Sequence, residues 1–128
     1  MSVIKAIRDV LEELAADKTE PMGSVYYGAC QDRVLDAWNY FVYNRRKTTK
    51  SSNRLDFQTY YEVHIVHEDY IPEGYVEKVV KALQDYKDVT LRVTADDIAY
   101  DYTFKGGANT NTIIEIATIT LYHPEKRC

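Results

Sequence analysis

Two histidines and the acidic residues near them are the side chains best suited to metal or acid–base chemistry. His64 and His67 lie three residues apart in a segment with strand periodicity, so we expect their side chains on opposite faces of a sheet. Glu62 with His64, or His67 with Asp69, would supply only two ligands, whereas a catalytic zinc needs three. The sequence therefore predicts no metal site and no cofactor, and these positions are interpreted as solvated strand residues.

Other motifs that could carry catalysis are incomplete. Cys30 and Cys128 make neither a disulfide framework nor a metal knuckle, and no Gly-x-Ser-x-Gly elbow marks a nucleophilic serine. Residues 105–107, Lys-Gly-Gly, reverse the residue order of a phosphate-binding loop and fit a hairpin turn. The acidic residues within 96–101 match no calcium-binding loop. The chain is accordingly predicted not to be an enzyme.

Residues 44–54 form the most distinctive segment. They include five basic residues, no acid and no hydrophobic residue, while all 20 acids lie elsewhere. This composition cannot bury apolar surface, so it predicts a mobile loop between two strands. Its bases suit phosphate or an acidic surface, including that of another copy, although a solvated loop that only maintains solubility is the alternative. The candidate contact residues are Arg45, Arg46, Lys47, Lys50 and Arg54, with Tyr60 and Glu62 on the next strand.

Composition and charge narrow the class of protein. The length of 128 residues, with 45% hydrophobic and 28% charged residues, is typical of one soluble domain. No run approaches the roughly 20 apolar residues that cross a bilayer, and the acid-rich start does not resemble a secretory signal. The net charge of −4 argues against reading a long stretch of duplex phosphate. A soluble protein of the cytoplasm is expected.

Tyrosine is unusually frequent, with 12 residues against three Phe and one Trp. A Tyr ring can be buried while its hydroxyl stays in water, which suits surfaces that become interfaces. Half-buried strands also favour aromatic residues, so composition alone leaves both interpretations open.

Two segments have the spacing of amphipathic helices. The first covers residues 4–14, with Ser2 as its N-cap and an end near residue 17. The second covers residues 72–83, with a proline in its first turn and with Glu77 and Lys81 spaced to pair. The residues expected in the core are Ile7, Leu11, Leu14, Tyr61, Val63, Val79 and Leu83.

Strand signals occur at six places, and the clearest is the alternation at 57–65, whose wetter face carries Tyr60, Glu62 and His64. In the segment 98–104, Ile98, Tyr100, Tyr102 and Phe104 should share one face. The remaining strands are expected at 25–27, 38–43, 89–94 and 113–122, with 105–111 as a hairpin connection and 31–37 as either a loop or a helical turn.

This order of elements predicts a single α+β domain over residues 1–128. A mostly antiparallel β-sheet would carry two α-helices packed on one face, with the long polar loop inserted between strands. The opposite face is expected to be too polar to form a second core layer, yet to carry more aromatic residues than an ordinary solvent-exposed face.

The element order and residue character resemble the tail-terminator and tail-completion proteins of long-tailed bacteriophages. The resemblance covers most of the chain. It depends on the N-terminal helix, the polar insertion and the closing hairpin, together with the segments VYYG at 25–28, YFVY at 40–43, FQTYYEVHI at 57–65 and PEGYVEKVVKAL at 72–83.

The resemblance implies a non-enzymatic structural protein of the virion, assembled in the host cytoplasm. Such proteins form a ring, usually a hexamer, at the head-proximal end of the tail tube. The ring terminates tail growth and joins the tail to the head, so its partners are other copies, the tail-tube protein and the head connector or stopper. DNA would pass through the ring without sequence-specific binding. The polar insertion at 44–54 would contact the tube or the connector.

Two other functions stay open on the sequence alone. A small nucleic-acid-binding module could use the basic segment 44–54 on phosphates and its surface Tyr rings on single-stranded bases. A small hydrolase or metal enzyme could be built around His64, Glu62 and Asp69.

Overall fold

The computed structural model describes residues 2–16, 24–28, 39–50, 57–94, 98–104 and 112–123. These residues form two α-helices and six β-strands. In chain order they are α1 Val3–Ala16, β1 Ser24–Tyr27, β2 Tyr40–Lys50, β3 Phe57–Glu68, α2 Tyr75–Gln84, β4 Arg92–Val93, β5 Ala99–Phe104 and β6 Ile113–Tyr122.

The strands form one mixed sheet in the order β1-β2-β3-β6-β4, and β5 also pairs with β6. The β1–β2 pair is parallel and every other pair is antiparallel. Since β3 occupies one side of β6, β4 and β5 follow each other along its other side, opposite residues 121–122 and 113–118. The predicted α+β fold and the hairpin of the last two strands are confirmed.

Both helices pack on one face of the sheet, as expected. Their apolar sides join the odd-numbered residues of β3 and β6 in one buried cluster. The Phe41 ring of β2 stacks on Tyr75 of α2, with ring centroids 6.3 Å apart. All seven predicted core residues are buried: Ile7, Leu11, Leu14, Tyr61, Val63, Val79 and Leu83.

The first helix begins where the sequence predicts. The Ser2 hydroxyl accepts a hydrogen bond from the backbone N–H of Lys5 at 3.2 Å, which satisfies one of the free N–H groups of the first turn. Its predicted end near residue 17, the segment 31–37 and the connection 105–111 lie outside the described residues.

The start of the second helix was predicted wrongly. The helix begins at Tyr75, and Pro72 lies in the turn before it, where the Pro72 carbonyl accepts a hydrogen bond from the N–H of Tyr75. Gly74 directly precedes the helix with a φ of 84°, in the left-handed region that glycine tolerates best. The Glu77–Lys81 pair is also replaced, since Lys81 bonds Asp85 at 3.1 Å. Lys81 and Asp85 lie at the C-terminal end of the helix, where the helix dipole also stabilises the positive charge of the lysine.

The largest correction concerns residues 44–54, which are not a loop throughout. Residues 44–50 continue β2 and pair with 57–62 of β3. The absence of apolar residues was misleading, because a strand at the edge of a sheet needs no apolar face when its backbone hydrogen bonds are made by one neighbour. Residues 51–54 lie outside the described part of the chain.

The sheet face remote from the helices, called here the open face, is less uniform than expected. Val42, Val66 and Ile114 lie on it and are buried, although they are outside the main core cluster. These three apolar residues occupy the end of the face near the start of β2. The wet, aromatic character that the sequence predicts holds for the other end.

The core contribution of Leu83 can be tested by truncation. This side chain is fully buried between α2 and the sheet, so Leu83→Ala should reduce the free energy of unfolding by about 2–5 kcal/mol through lost burial and the cavity left behind. Denaturant unfolding measures the loss. Lys78→Ala on the exposed side of α2 is the control and should change stability by less than about 0.5 kcal/mol. Equal losses in both variants would contradict the helix orientation.

Candidate interaction site on the open sheet face

The predicted contact residues separate into two groups. Arg46, Lys47, Tyr60 and Glu62 come together on the open face. Arg45 pairs with Tyr61, whose side chain joins the helix-side core, so Arg45 lies toward the other face. Lys50 is the last residue of β2, and Arg54 lies outside the described residues.

A β-bulge at Arg46 positions the two basic side chains. Arg45 pairs with Tyr61 and Lys47 with Tyr60, so β2 has one residue more than β3 at this point. The extra residue reverses the facing of the rest of the strand, because side chains alternate with a period of two. Without it, Lys47 would lie on the helix side. The bulge instead places it beside Arg46 on the open face.

A polar cluster next to the bulge extends across β2, β3 and β6. Asn44 Nδ2 donates to Glu62 Oε1 at 3.2 Å, and Arg46 Nε lies 4.0 Å from Glu62 Oε2. His64 Nε2 lies 3.1 Å from Asn44 Oδ1, and His64 Nδ1 lies 3.0 Å from the hydroxyl of Thr118 on β6. Four of these five side chains therefore share hydrogen bonds, and Arg46 joins them as a loose ion pair.

The neighbours of His64 determine which ring nitrogen carries the proton in the neutral form. Nε2 faces two acceptors, Asn44 Oδ1 and, at 3.6 Å, Glu62 Oε1. Nε2 must therefore be the donor, and Nδ1 accepts from the hydroxyl of Thr118. The cluster thus has one consistent set of donors and acceptors, which fixes the side chains on an otherwise open surface.

The order hydroxyl, imidazole, carboxylate in Thr118, His64 and Glu62 is also that of a catalytic triad. A hydrolase needs N–H donors aimed at the developing oxyanion, and the N–H groups of a paired strand lie in the plane of the sheet. The third residue of the hydrolase hypothesis, Asp69, follows the end of β3 and bonds through its N–H to Ile113 O. The contacts given above describe a hydrogen-bonded polar cluster on the open face.

An aromatic row lies next to the polar cluster. The ammonium group of Lys47 is 5.3 Å from the centre of the Tyr60 ring, within the range of a cation–π contact. Tyr60 is paired with Tyr122 on β6, with ring centroids 5.8 Å apart. Tyr122 is in turn paired with the exposed Arg92 of β4. Two rings flanked by two cations therefore cross the sheet from β2 to β4.

A second candidate surface is the edge formed by β5. All six of its residues are exposed, and the rings of Tyr102 and Phe104 each keep 62% of their surface in water. Tyr100, Tyr102 and Phe104 share one face, as predicted, and that face is the helix side. Ile113 adjoins them and is 40% exposed. Aromatic rings so exposed on an edge strand are typical of an interaction surface.

One hydroxyl on this edge is fixed. Tyr102 donates a hydrogen bond of 2.8 Å to Glu115 Oε2, and the other oxygen of Glu115 accepts the N–H of Ile71. The bond to Glu115 raises the pKa of Tyr102, because it favours the protonated hydroxyl. The hydrogen bond thereby fixes the position of the Tyr102 hydroxyl although the ring is exposed.

Asn44, Thr118, Tyr122 and Arg92 were not singled out from the sequence. They lie on three strands, and only the register of those strands brings them to Glu62, His64 and Tyr60. The hairpin-like pairing of β2 with β3 was hidden by the polar composition of 44–54. The alternation within 113–122 placed Thr118 and Tyr122 on one face but could not show which strand lay beside them.

His64 and His67 face opposite sides of the sheet, as predicted, since His67 is paired with Glu115 of the helix-side face. In the part of the chain that the structure describes, no group of three or more His, Cys, Asp or Glu side chains is arranged to hold a metal ion. Of the two described helices, neither is long and apolar enough to span a membrane.

Comparisons with known proteins leave the fold and the site to be argued from the chain itself. No family model matches the sequence, and no curated protein is significantly similar to it. One solved structure, whose name states no activity, covers 98% of this chain and 96% of its own, with 12% identity and a TM-score of 0.49. A likeness at that level carries no argument about function.

The polar cluster predicts coupling between Asn44 and Glu62. Each truncation removes their shared hydrogen bond, so a double-mutant cycle with Asn44→Ala and Glu62→Ala should give a coupling energy of about 0.5–1.5 kcal/mol. Chemical unfolding of the four proteins measures it. Lys5→Ala, on α1 across the sheet, is the matched control, and its effect should add to that of Glu62→Ala within about 0.5 kcal/mol. Additivity in both cycles would refute the cluster.

Proposed function

We propose that this protein is a non-enzymatic structural component of a bacteriophage virion. It forms a ring, most simply of six copies, at the head-proximal end of the tail tube, where it terminates tail growth and joins tail to head. Its partners are other copies of itself, the tail-tube protein and the head connector, and it is assembled in the host cytoplasm. The resemblance in element order described above supplies the phage context of this proposal.

One observation carries the assembly part of the proposal, namely the exposed aromatic edge strand β5. The rings of β5 are exposed to water, and among the described strands β5 pairs with β6 alone, which is typical of a surface that binds a partner. The open face adds a second surface, on which basic and aromatic side chains are held in place by the bulge and the polar cluster.

The charge distribution also suits a protein whose function is contact. Exposed bases gather at 45–47 along one edge of the sheet, while the body of the chain is acidic. Segregated charges fix the orientation of partners and accelerate their encounter.

Solution mass tests the proposal. Multi-angle light scattering should give an assembly at working concentration, or once the tail-tube protein is added, with six times the chain mass of 14.9 kDa as the expected value. Negative-stain electron microscopy should then show closed rings. A chain that remains monomeric at high concentration and with every tail partner offered would exclude the ring.

A second candidate function rests on the aromatic row. Tyr60 and Tyr122 lie side by side with Lys47 and Arg92 at either end, and stacked rings with flanking cations are the platform on which single-stranded nucleic acids bind. The open face would then bind bases through the rings and phosphates through the cations. The ring proposal uses the same chain for protein contacts and needs no nucleic-acid affinity.

Single-stranded DNA binding separates the two functions. If the nucleic-acid function holds, Tyr60→Ala and Tyr122→Ala should each weaken binding by about 1–3 kcal/mol, and affinity should fall steeply with salt. Fluorescence anisotropy with an oligothymidylate measures both effects. Tyr102→Ala removes an exposed ring from the opposite face and serves as the control. On the ring proposal, none of the four proteins binds the oligonucleotide measurably at physiological salt.

A further inference from the structure

We infer that copies of this protein associate head to tail through the two unlike edges of the sheet. The basic outer edge of β2, residues 44–49, would lie against the outer edge of β5 in the next copy. This inference rests on the proposed self-assembly and names the surfaces that would carry it.

Among the described strands, the neighbour of β2 on this side is the short β1, which leaves the rest of β2 as an edge. β1 pairs with β2 from Tyr40 to Tyr43 and its parallel pairing stops there, while Gly28 bonds back to Tyr43 O. From 44 to 49, the strand pairing of β2 is with β3. The exposed residues of this stretch are Arg45, Arg46, Lys47 and Thr48, so the edge is strongly basic.

The second surface lies at the opposite side of the same sheet. β5 pairs with β6, and among the described strands none lies on its other side. Its six exposed residues span the same length as 44–49. Three of them, Tyr100, Tyr102 and Phe104, face the helix side, and the one charged residue of the strand, Asp101, faces the open side.

Acidic groups also lie on the helix side of β5, where α2 is its neighbour. An open groove between α2 and β5 is lined by Val76, Val80, Ile98 and Tyr100, with Glu77 and Asp85 at its border. Lys81, the base in this groove, is bonded to Asp85. The β5 edge therefore combines exposed rings and Glu77 on the helix side with Asp101 on the open face, and no ion pair of either acid is found among the described residues.

These two surfaces are complementary in charge and in chemistry. Guanidinium and ammonium groups bind carboxylates, and they also pack on the faces of aromatic rings. Tyr and Arg are the residues enriched at protein–protein interfaces. A second copy supplies both halves of this contact, which is why the occupant is assigned as another copy rather than an unrelated protein.

A contact between two β2 edges is less favourable. Two β2 edges would bring three exposed bases of each copy together, and a bulge at the edge opposes simple strand addition. A contact between unlike edges leaves one free edge of each type at the ends of every oligomer. Association through unlike edges therefore adds copies in one direction and ends only when the row of copies closes into a ring.

Charge reversal of each edge tests the inference with the full-length chain. One variant carries Arg45→Glu, Arg46→Glu and Lys47→Glu, and the other carries Asp101→Lys and Phe104→Lys. All five side chains are exposed, and thermal unfolding should show that both variants are folded. Alone, each should assemble with a dissociation constant raised about tenfold or more, because each now sets like charge against like charge.

Mixing the two variants gives the decisive result. In the mixture, the glutamates at 45–47 of the first variant match the lysines on β5 of the second variant. The β5 strand of the first variant and the 44–49 edge of the second variant are both native and match each other. An equimolar mixture should therefore recover an assembly containing both chains in equal amounts, as measured by light scattering and native mass spectrometry. The control is Lys5→Glu with Lys78→Glu and Lys87→Glu, three exposed bases outside both edges, which should assemble like the native chain.

The other outcomes overturn the inference. If only the β5 variant fails to assemble, the contact joins β5 to β5 across a two-fold axis. If the control loses assembly equally, net charge rather than the edge is responsible. If both edge variants assemble normally while the native protein forms rings, the ring stands and its interface lies elsewhere. A native protein that never assembles removes the proposed function itself.

Discussion

The pairing of β3 on both of its sides governs the rest of the structure. Because β3 lies between β2 and β6, its alternation fixes which residues of all three strands face the helices. Tyr61, Val63 and Ile65 are thereby buried in the core, and Tyr60, Glu62 and His64 are placed on the open face. A slip by one residue would exchange these two sets, so the burial that stabilises the fold also holds the surface side chains in place.

The bulge at Arg46 is the one point at which this alternation is broken. Up to Arg45, β2 follows the core pattern of β3, and beyond it the facing is reversed. The reversal gives the open face a basic corner, with Arg46 near Glu62 and Lys47 over Tyr60. It also increases the local twist of an edge that is already protected by charge, which limits indiscriminate strand pairing.

The fold was more predictable than the site, for a physical reason. The apolar periodicity of α1, α2, β3 and β6 reports which side of each element is buried, and it gave the α+β architecture and the seven core residues. The polar stretch 44–50 carries no such signal, because its strand structure comes from the backbone of β3 rather than from burial of its own side chains. The contacts of His64 with Asn44 and Thr118 depend on that register, so the polar cluster could not be predicted from the sequence.

The two ends of the sheet differ in a way that stability alone does not require. An edge strand is commonly shielded by charge, by a bulge or by short length, and residues 44–49 have the first two features. β5 has one acid and three exposed rings instead, which would favour unwanted association unless a partner covers them. The sheet therefore has a basic edge with a bulge at residues 44–49 and an aromatic edge with one acid at β5. Such an asymmetry suits the proposed head-to-tail assembly, because closure into a ring would pair every basic edge with an aromatic one.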